Sequence, residues 1–230
     1  MPPIAENIRR VKERIKNAAL RAGRGPDSIR LVAVTKGVDV NRIREAIEAG
    51  VDTFGENYIQ EARPKIEAIG RGVVKWHFIG HLQRNKAKYA VKLFDLIHTV
   101  DSLELAMELN RRSKDKRTDV LIEVNPGGEE TKAGVDESGM MELVEGILAY
   151  ENLSVKGLMV IPPYLEDPEA VRPYFARLKG LAMEIEERNI PGISMQELSM
   201  GMSHDFEVAI EEGATIVRIG RAIFGERSSE

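Results

Sequence analysis

The strongest constraint on the fold is an alternation. Short runs of strand character alternate eight times with stretches of helical spacing. The runs are Arg30–Lys36, Val51–Gly55, Lys75–Gly80, Leu96–Val100, Asp119–Val124, Val155–Ile161, Gln196–Ser199 and Thr215–Ile219. Between them, apolar residues recur three and four apart, as in Val40, Ile43, Ile47 and in Tyr58, Ala62, Ile66, Ile69, which is one face of a helix. Further helices are predicted near Asn85–Lys92, from an Asp101 or Ser102 cap to Arg112, around Met140–Tyr150, over Pro168–Arg188 and at His204–Glu212. One more precedes the series: Ile4, Ile8, Val11 and Ile15 share a face, and Gly23 and Gly25-Pro26 end it. Strand–helix units repeated eight times predict an α/β fold, a single (β/α)8 TIM barrel with an extra N-terminal helix. An open doubly wound sheet would need fewer strands and an edge, and no Gly-x-Gly-x-x-Gly follows the first strand. No Pro-, Gly- or Ser-rich linker divides the chain, so residues 1–230 read as one domain.

Composition narrows the function. The formal net charge is −4, which argues against a general nucleic-acid binder. There are no cysteines, so disulfides, thiol catalysis and thiolate-held zinc are excluded. No apolar run reaches the ~18–20 residues of a membrane span, and the N-terminus lacks the apolar core of a signal peptide. A cytoplasmic protein is expected.

In such barrels the active face lies at the C-terminal ends of the strands. Strand one there ends on a lysine, Val32-Ala33-Val34-Thr35-Lys36. An amine partly withdrawn from water can attack a carbonyl and form a Schiff base; the plain alternative is that Lys36 reaches out into solvent. The other strand ends supply Glu56 and Asn57; His77, Gly80 and His81; Asn125; Met159 and Pro162; Ser199-Met200-Gly201-Met202-Ser203; and Arg218, Gly220 and Arg221. The small-residue turns at 199–203 and 220–221 each open a helix, where exposed N–H groups suit an anion. Loops seven and eight are where phosphate sits in many barrels. A phosphate there and an amine on neighbouring strand one fit a small phosphorylated carbonyl compound, with pyridoxal 5′-phosphate the candidate. An inward Arg218 could face the pyridine nitrogen, where a guanidinium only donates and keeps the ring a weak electron sink; otherwise it is a rim arginine in an ion pair. His77 and His81 are i, i+4 but not helical, so the zinc pattern fails. His98 and His204 carry no signal. Lys132, in the loop Gly127–Gly134, is a second accessible amine.

Several blocks, in this order, resemble the pyridoxal phosphate homeostasis protein family nearly end to end. They are Val32–Lys36, Phe54–Tyr58, Trp76–Lys86, Leu198–Asp205 and Val217–Gly225. That family is similar to the N-terminal barrel of alanine racemase, a fold-type III pyridoxal phosphate protein. The resemblance implies that Lys36 carries pyridoxal 5′-phosphate as an aldimine and that Arg218 faces the pyridine nitrogen. It implies that Ser203, Gly220 and Arg221 hold the phosphate, the last through its backbone N–H. Asn57, His77, Met159, Ser199, Met200 and Gly201 would line the pocket.

Racemisation needs acid–base groups on both faces of the bound cofactor. In alanine racemase the second comes from a tyrosine of another domain on the partner subunit. This chain ends soon after strand eight, and Tyr58, Tyr89, Tyr150, Tyr164 and Tyr174 all fall in helices or loops. The expectation is therefore a non-catalytic protein that binds and buffers the cofactor in vitamin B6 homeostasis, with pyridoxal phosphate-dependent apoenzymes as candidate recipients. A monomer is expected. The alternatives are a weak amino-acid racemase and, more remotely, a Schiff-base aldolase using Glu56.

Overall fold

A computed structural model describes residues 3–128 and 133–226. Residues 129–132, which include Lys132 of the Gly127–Gly134 loop, lie outside the described residues. The expected architecture is present: eight parallel strands close into a barrel in chain order, the eighth pairing with the first. The strands are β1 (Arg30–Val34), β2 (Thr53–Glu56), β3 (Lys75–Phe78), β4 (Leu96–Val100), β5 (Thr118–Glu123), β6 (Leu153–Met159), β7 (Ile193–Ser199) and β8 (Ile216–Ile219). The helices are α1 (Ile4–Arg21), α2 (Val40–Glu48), α3 (Ile59–Ile69), α4 (Ala87–Leu93), α5 (Leu103–Arg112), α6 (Glu137–Gly146), α7 (Arg172–Glu187), α8 (Phe206–Glu211) and α9 (Arg221–Phe224).

Most strands start or stop a residue or two from the sequence expectation, because apolar pattern does not see where ladder hydrogen bonds begin and end. β1 stops at Val34, so Lys36 stands in the turn beyond the strand. β2 starts at Thr53 and runs on to Glu56, β3 ends at Phe78, and β7 begins three residues before Gln196. The long helix expected from Pro168 opens as a 3₁₀ turn, Pro168–Val171, before α7.

The core is a sleeve between barrel and helices. Phe54, Trp76, Phe78, Phe94, Phe175 and Phe206 are its largest fully buried side chains. Burial of this apolar surface is what closes the fold. The predicted face of α1 (Ile4, Ile8, Val11, Ile15) is buried. Asn7 donates from α1 to the Ile223 carbonyl (2.9 Å), and Arg14 pairs with Glu207 of α8 (2.7 Å), so the extra helix straps the barrel across its closing seam. Inside the barrel, Val32, Leu96, Leu121, Met159 and Ile216 form a separate apolar cluster that plugs it. No helix among the described residues is long and apolar enough to cross a membrane.

Candidate functional site

Two neighbouring strand ends and the loop after β7 open onto a cavity of about 540 Å³, within the range of small-molecule sites. Five of the sequence-predicted residues line it: Lys36, Ser203, Arg218, Gly220 and Arg221. They meet because the barrel closes β8 against β1.

Lys36 is half-buried, and its backbone is held from both sides by the β2–α3 unit. On one side, Thr35 donates its N–H to the Gly55 carbonyl (3.0 Å) and its hydroxyl to Glu56 Oε1 (2.7 Å). On the other, the Gly37 N–H donates to Glu61 (3.2 Å). Lys65 of α3 completes the clamp, donating to Glu56 Oε1 (2.7 Å) and to the Thr35 carbonyl (2.6 Å). Burial pushes the Glu56 carboxyl above its ordinary pKa, against the pull of Lys65 and Thr35. The Lys36 amine itself donates to Tyr58 Oη (3.1 Å) and lies 4.8 Å from the centre of the Tyr58 ring.

Arg218 is 3% exposed and makes no ion pair within 4 Å among the described residues, so the rim-arginine alternative fails. Its guanidinium donates to Ser199 Oγ (2.6 Å) and to the Val160 carbonyl (2.9 Å). Burial lowers its pKa to about 10, with Glu123 and Asp205 pulling the other way. It therefore remains a cation at neutral pH. Beyond Ser199 a buried chain crosses the barrel. Ser199 Oγ lies 2.8 Å from His98 Nδ1, and His98 Nε2 lies 3.0 Å from His77 Nδ1. Both rings are neutral: burial holds His77 down to about 3 and His98 well below the usual histidine range.

On the far side of the cavity, Ser203 Oγ accepts from the Ala222 N–H (3.2 Å), which ties the loop after β7 to the start of α9. Asp205 Oδ1 accepts from the Met202 N–H (2.6 Å) and folds the loop on itself. His204 contacts the Leu165 and Glu166 carbonyls (3.1 and 2.9 Å) and sits against Tyr164.

The other six predicted residues do not line this cavity. His77 and Ser199 act from behind, through the chain that ends on Arg218. Met159 belongs to the apolar plug within the barrel. Met200 is wholly buried, its N–H bound to the Ile216 carbonyl (3.1 Å). Gly201 has φ +90°, and a Cβ there would lie 2.6 Å from Ala209 and 2.9 Å from the Phe206 backbone. Its lack of a side chain serves the packing of α8 under the loop. Asn57 is half-buried, and its carbonyl would be 2.2 Å from a Cβ on Gly80. That close approach explains the glycine at the end of strand three.

Sequence reasoning passed over two residues. His98 is the central link of the buried chain; the available signal was a histidine two residues from Leu96 in a wholly buried strand, on the inward period. Tyr58 was placed in a helix or loop without a role, yet it holds the Lys36 amine.

The alanine racemase N-terminal domain family model matches residues 3–228. A protein of Aquifex aeolicus named pyridoxal phosphate homeostasis protein is 50% identical, covering 96% of this chain and 97% of its own. A protein of that name from Escherichia coli K12 is 41% identical over 99% of this chain and 98% of its own. Among solved structures, Synechococcus elongatus PipY with PLP bound superposes with a TM-score of 0.83 at 35% identity, covering 96% of this chain and all of that one. Clostridium difficile alanine racemase shares the fold at 16% identity, TM-score 0.74, over 58% of its length. The chain therefore belongs to the alanine racemase N-terminal domain family and, within it, to the pyridoxal phosphate homeostasis proteins.

Proposed function

We propose that the cavity between β1, β8 and the loop after β7 holds pyridoxal 5′-phosphate and that the protein carries this cofactor rather than using it. One observation bears most of the weight: Lys36 and a buried arginine that has no carboxylate within 4 Å among the described residues line the same small cavity. The donor set fits the cofactor. Lys36 is the amine for an aldehyde. Ser203 and the backbone at Gly220 and Arg221 would hold the phosphate, and Arg218 would face the ring nitrogen. The relatives named for this cofactor, and PipY with PLP bound, support the same assignment.

Bound pyridoxal phosphate supplies an aldehyde that an amine can capture and a ring whose electron demand depends on its nitrogen. Arg218 can donate to that nitrogen but cannot hand over a proton at neutral pH, so it does not strengthen the ring as an electron sink. Ser199, His98 and His77 fix the guanidinium: with both histidines neutral, each link is one donor facing one acceptor. Asn57, Met159, Met200 and Gly201 support the site through the walls that carry it.

The racemase alternative would rest on Tyr164, which lines the cavity beside His204, and the turnover assay below decides it. Tyr58 shares a hydrogen bond with Lys36, so it reaches the same point as Lys36 and does not supply an acid–base group opposite it. Glu56 is sealed behind Thr35 and Lys65 with no exposed surface, which removes the acid–base carboxylate an aldolase would use. We read residues 1–230 as one cofactor-binding domain that works as a monomer, with pyridoxal phosphate-dependent apoenzymes as recipients.

The test is the absorbance spectrum of the purified protein, followed by borohydride reduction and peptide mapping. A yellow protein with a pyridoxyl group on Lys36, lost in Lys36→Ala, supports the reading. A protein that takes up no added pyridoxal phosphate overturns it. Turnover of an amino acid well above free cofactor, abolished by Lys36→Ala, would replace the carrier with an enzyme. Size-exclusion chromatography with light scattering checks the monomer.

A further inference from the structure

We propose that Tyr58 is a latch on Lys36: it parks the amine at the cavity rim and so sets how fast Lys36 engages an incoming aldehyde. The inference rests on the cofactor reading of the cavity and deepens it. The backbone on both sides of Lys36 is pinned to one structural unit, through Gly55, Glu56, Glu61 and Lys65. The remaining freedom of Lys36 is therefore in its side-chain torsions, which a long lysine gives up at an entropic cost. Tyr58 belongs to that same unit, as the residue immediately before α3. It holds the tip of the chain in two ways, through the hydroxyl at 3.1 Å and the ring face at 4.8 Å. Among the described residues, no other polar contact to the Lys36 amine is made. Tyr58 does not line the cavity, whereas Lys36 does. The parked amine is thus turned toward a group outside the cavity wall.

Capture requires the Lys36 ammonium to give a proton to solvent and its neutral nitrogen to add to the aldehyde carbon; a C=N bond forms as the aldehyde oxygen leaves as water. The amine cannot do this while it donates to Tyr58 and rests on its ring, so breaking the latch precedes capture. A ring–ammonium contact at an exposed site and one hydrogen bond are each worth about 0.5–1 kcal/mol or slightly more. Together they slow capture by about five- to thirtyfold.

Tyr58 is 51% exposed and makes no side-chain cap to α3, so its truncation leaves the fold intact. Two rates are compared in wild type, Tyr58→Phe and Tyr58→Ala. The first is acetylation of Lys36 by acetic anhydride on protein freed of cofactor, read by peptide mass mapping. The second is uptake of pyridoxal 5′-phosphate, followed by absorbance. Both are expected to rise about five- to thirtyfold in Tyr58→Ala, with Tyr58→Phe between, while cofactor release is unchanged. Labelling of Lys65, which is 7% exposed, stays constant and separates a freed latch from a loosened barrel. Lys36 rates within twofold of wild type, or slower, would overturn the latch, as would a parallel rise at Lys65. If wild type takes up no cofactor, the function proposed above fails, and the acetylation series alone still decides whether Tyr58 restrains Lys36.

Discussion

Glu123 sits at the end of β5 with 3% exposure, and its Oε2 is buried without a hydrogen-bond partner among the described residues. Burial, aided by repulsion from Asp101 and opposed by attraction to Arg218, raises its pKa to about 7 from 4.5. In the unfolded chain the carboxyl ionises near 4.5; in the fold it keeps its proton up to about 7. Between those values the native state binds more protons than the unfolded state, so stability falls as pH rises through the window. Below it both states are protonated and nothing is lost; above it both are ionised and the full penalty applies. The gap of about 2.5 corresponds to about 3 kcal/mol at about 1.4 kcal/mol per unit. For a chain of this size that is about 6–12 °C in melting temperature. Glu123→Gln cannot ionise and escapes the penalty. Thermal denaturation of cofactor-free wild type and variant across pH 5–8 isolates this group from the other titrating side chains. The two proteins should melt within a few degrees of each other near pH 5, with the variant higher by about 6–12 °C at pH 8. A difference that does not grow with pH would refute the reasoning, and would mean that the ionised carboxylate is solvated or paired in solution.

Lys65→Met removes the partner of a buried carboxylate and should cost about 3–5 kcal/mol, read as a lower denaturant midpoint; replacing Glu56 by Leu in the same chain should recover most of it. His98→Ala leaves Ser199 and His77 each short of a hydrogen bond, so cofactor affinity should fall several-fold in a binding titration while Lys36 is still labelled by borohydride reduction. An unchanged affinity would show that Arg218 needs no support from across the barrel. Gly80→Ala places a Cβ 2.2 Å from the Asn57 carbonyl, so it should shift the 57–58 turn and lower the melting temperature more than a surface Gly→Ala change does.

Much of this protein is local and therefore legible in one dimension. Apolar residues two apart or three to four apart decide strand or helix, and eight alternations leave few closed solutions other than a barrel. Closure then makes the first and last strands neighbours, so Lys36 and Arg218 could be paired before any coordinates, as could the turns that carry Ser203 and Gly220. The strand-end residues made pyridoxal 5′-phosphate the candidate cofactor, and the family resemblance pointed to the same compound. Other features were decided only by tertiary structure, because they depend on where side chains end and on what burial does to them. Glu56 and Lys36 both stand near strand ends, yet Glu56 turns away and is sealed by Lys65 from nine residues further along the chain. Met200 and Gly201 lie in the turn at the site, but Met200 is buried in the core and Gly201 packs against α8. His98 has meaning only because an inward position on β4 lies within hydrogen-bonding distance of β3 and β7, through a centre that no sequence spacing measures. Tyr58 is 22 residues from Lys36, and the fold places its hydroxyl at the lysine's tip. Sequence pattern determines which face of an element is buried; only the closed barrel determines which polar groups meet there, because a buried polar group left without a partner is costly.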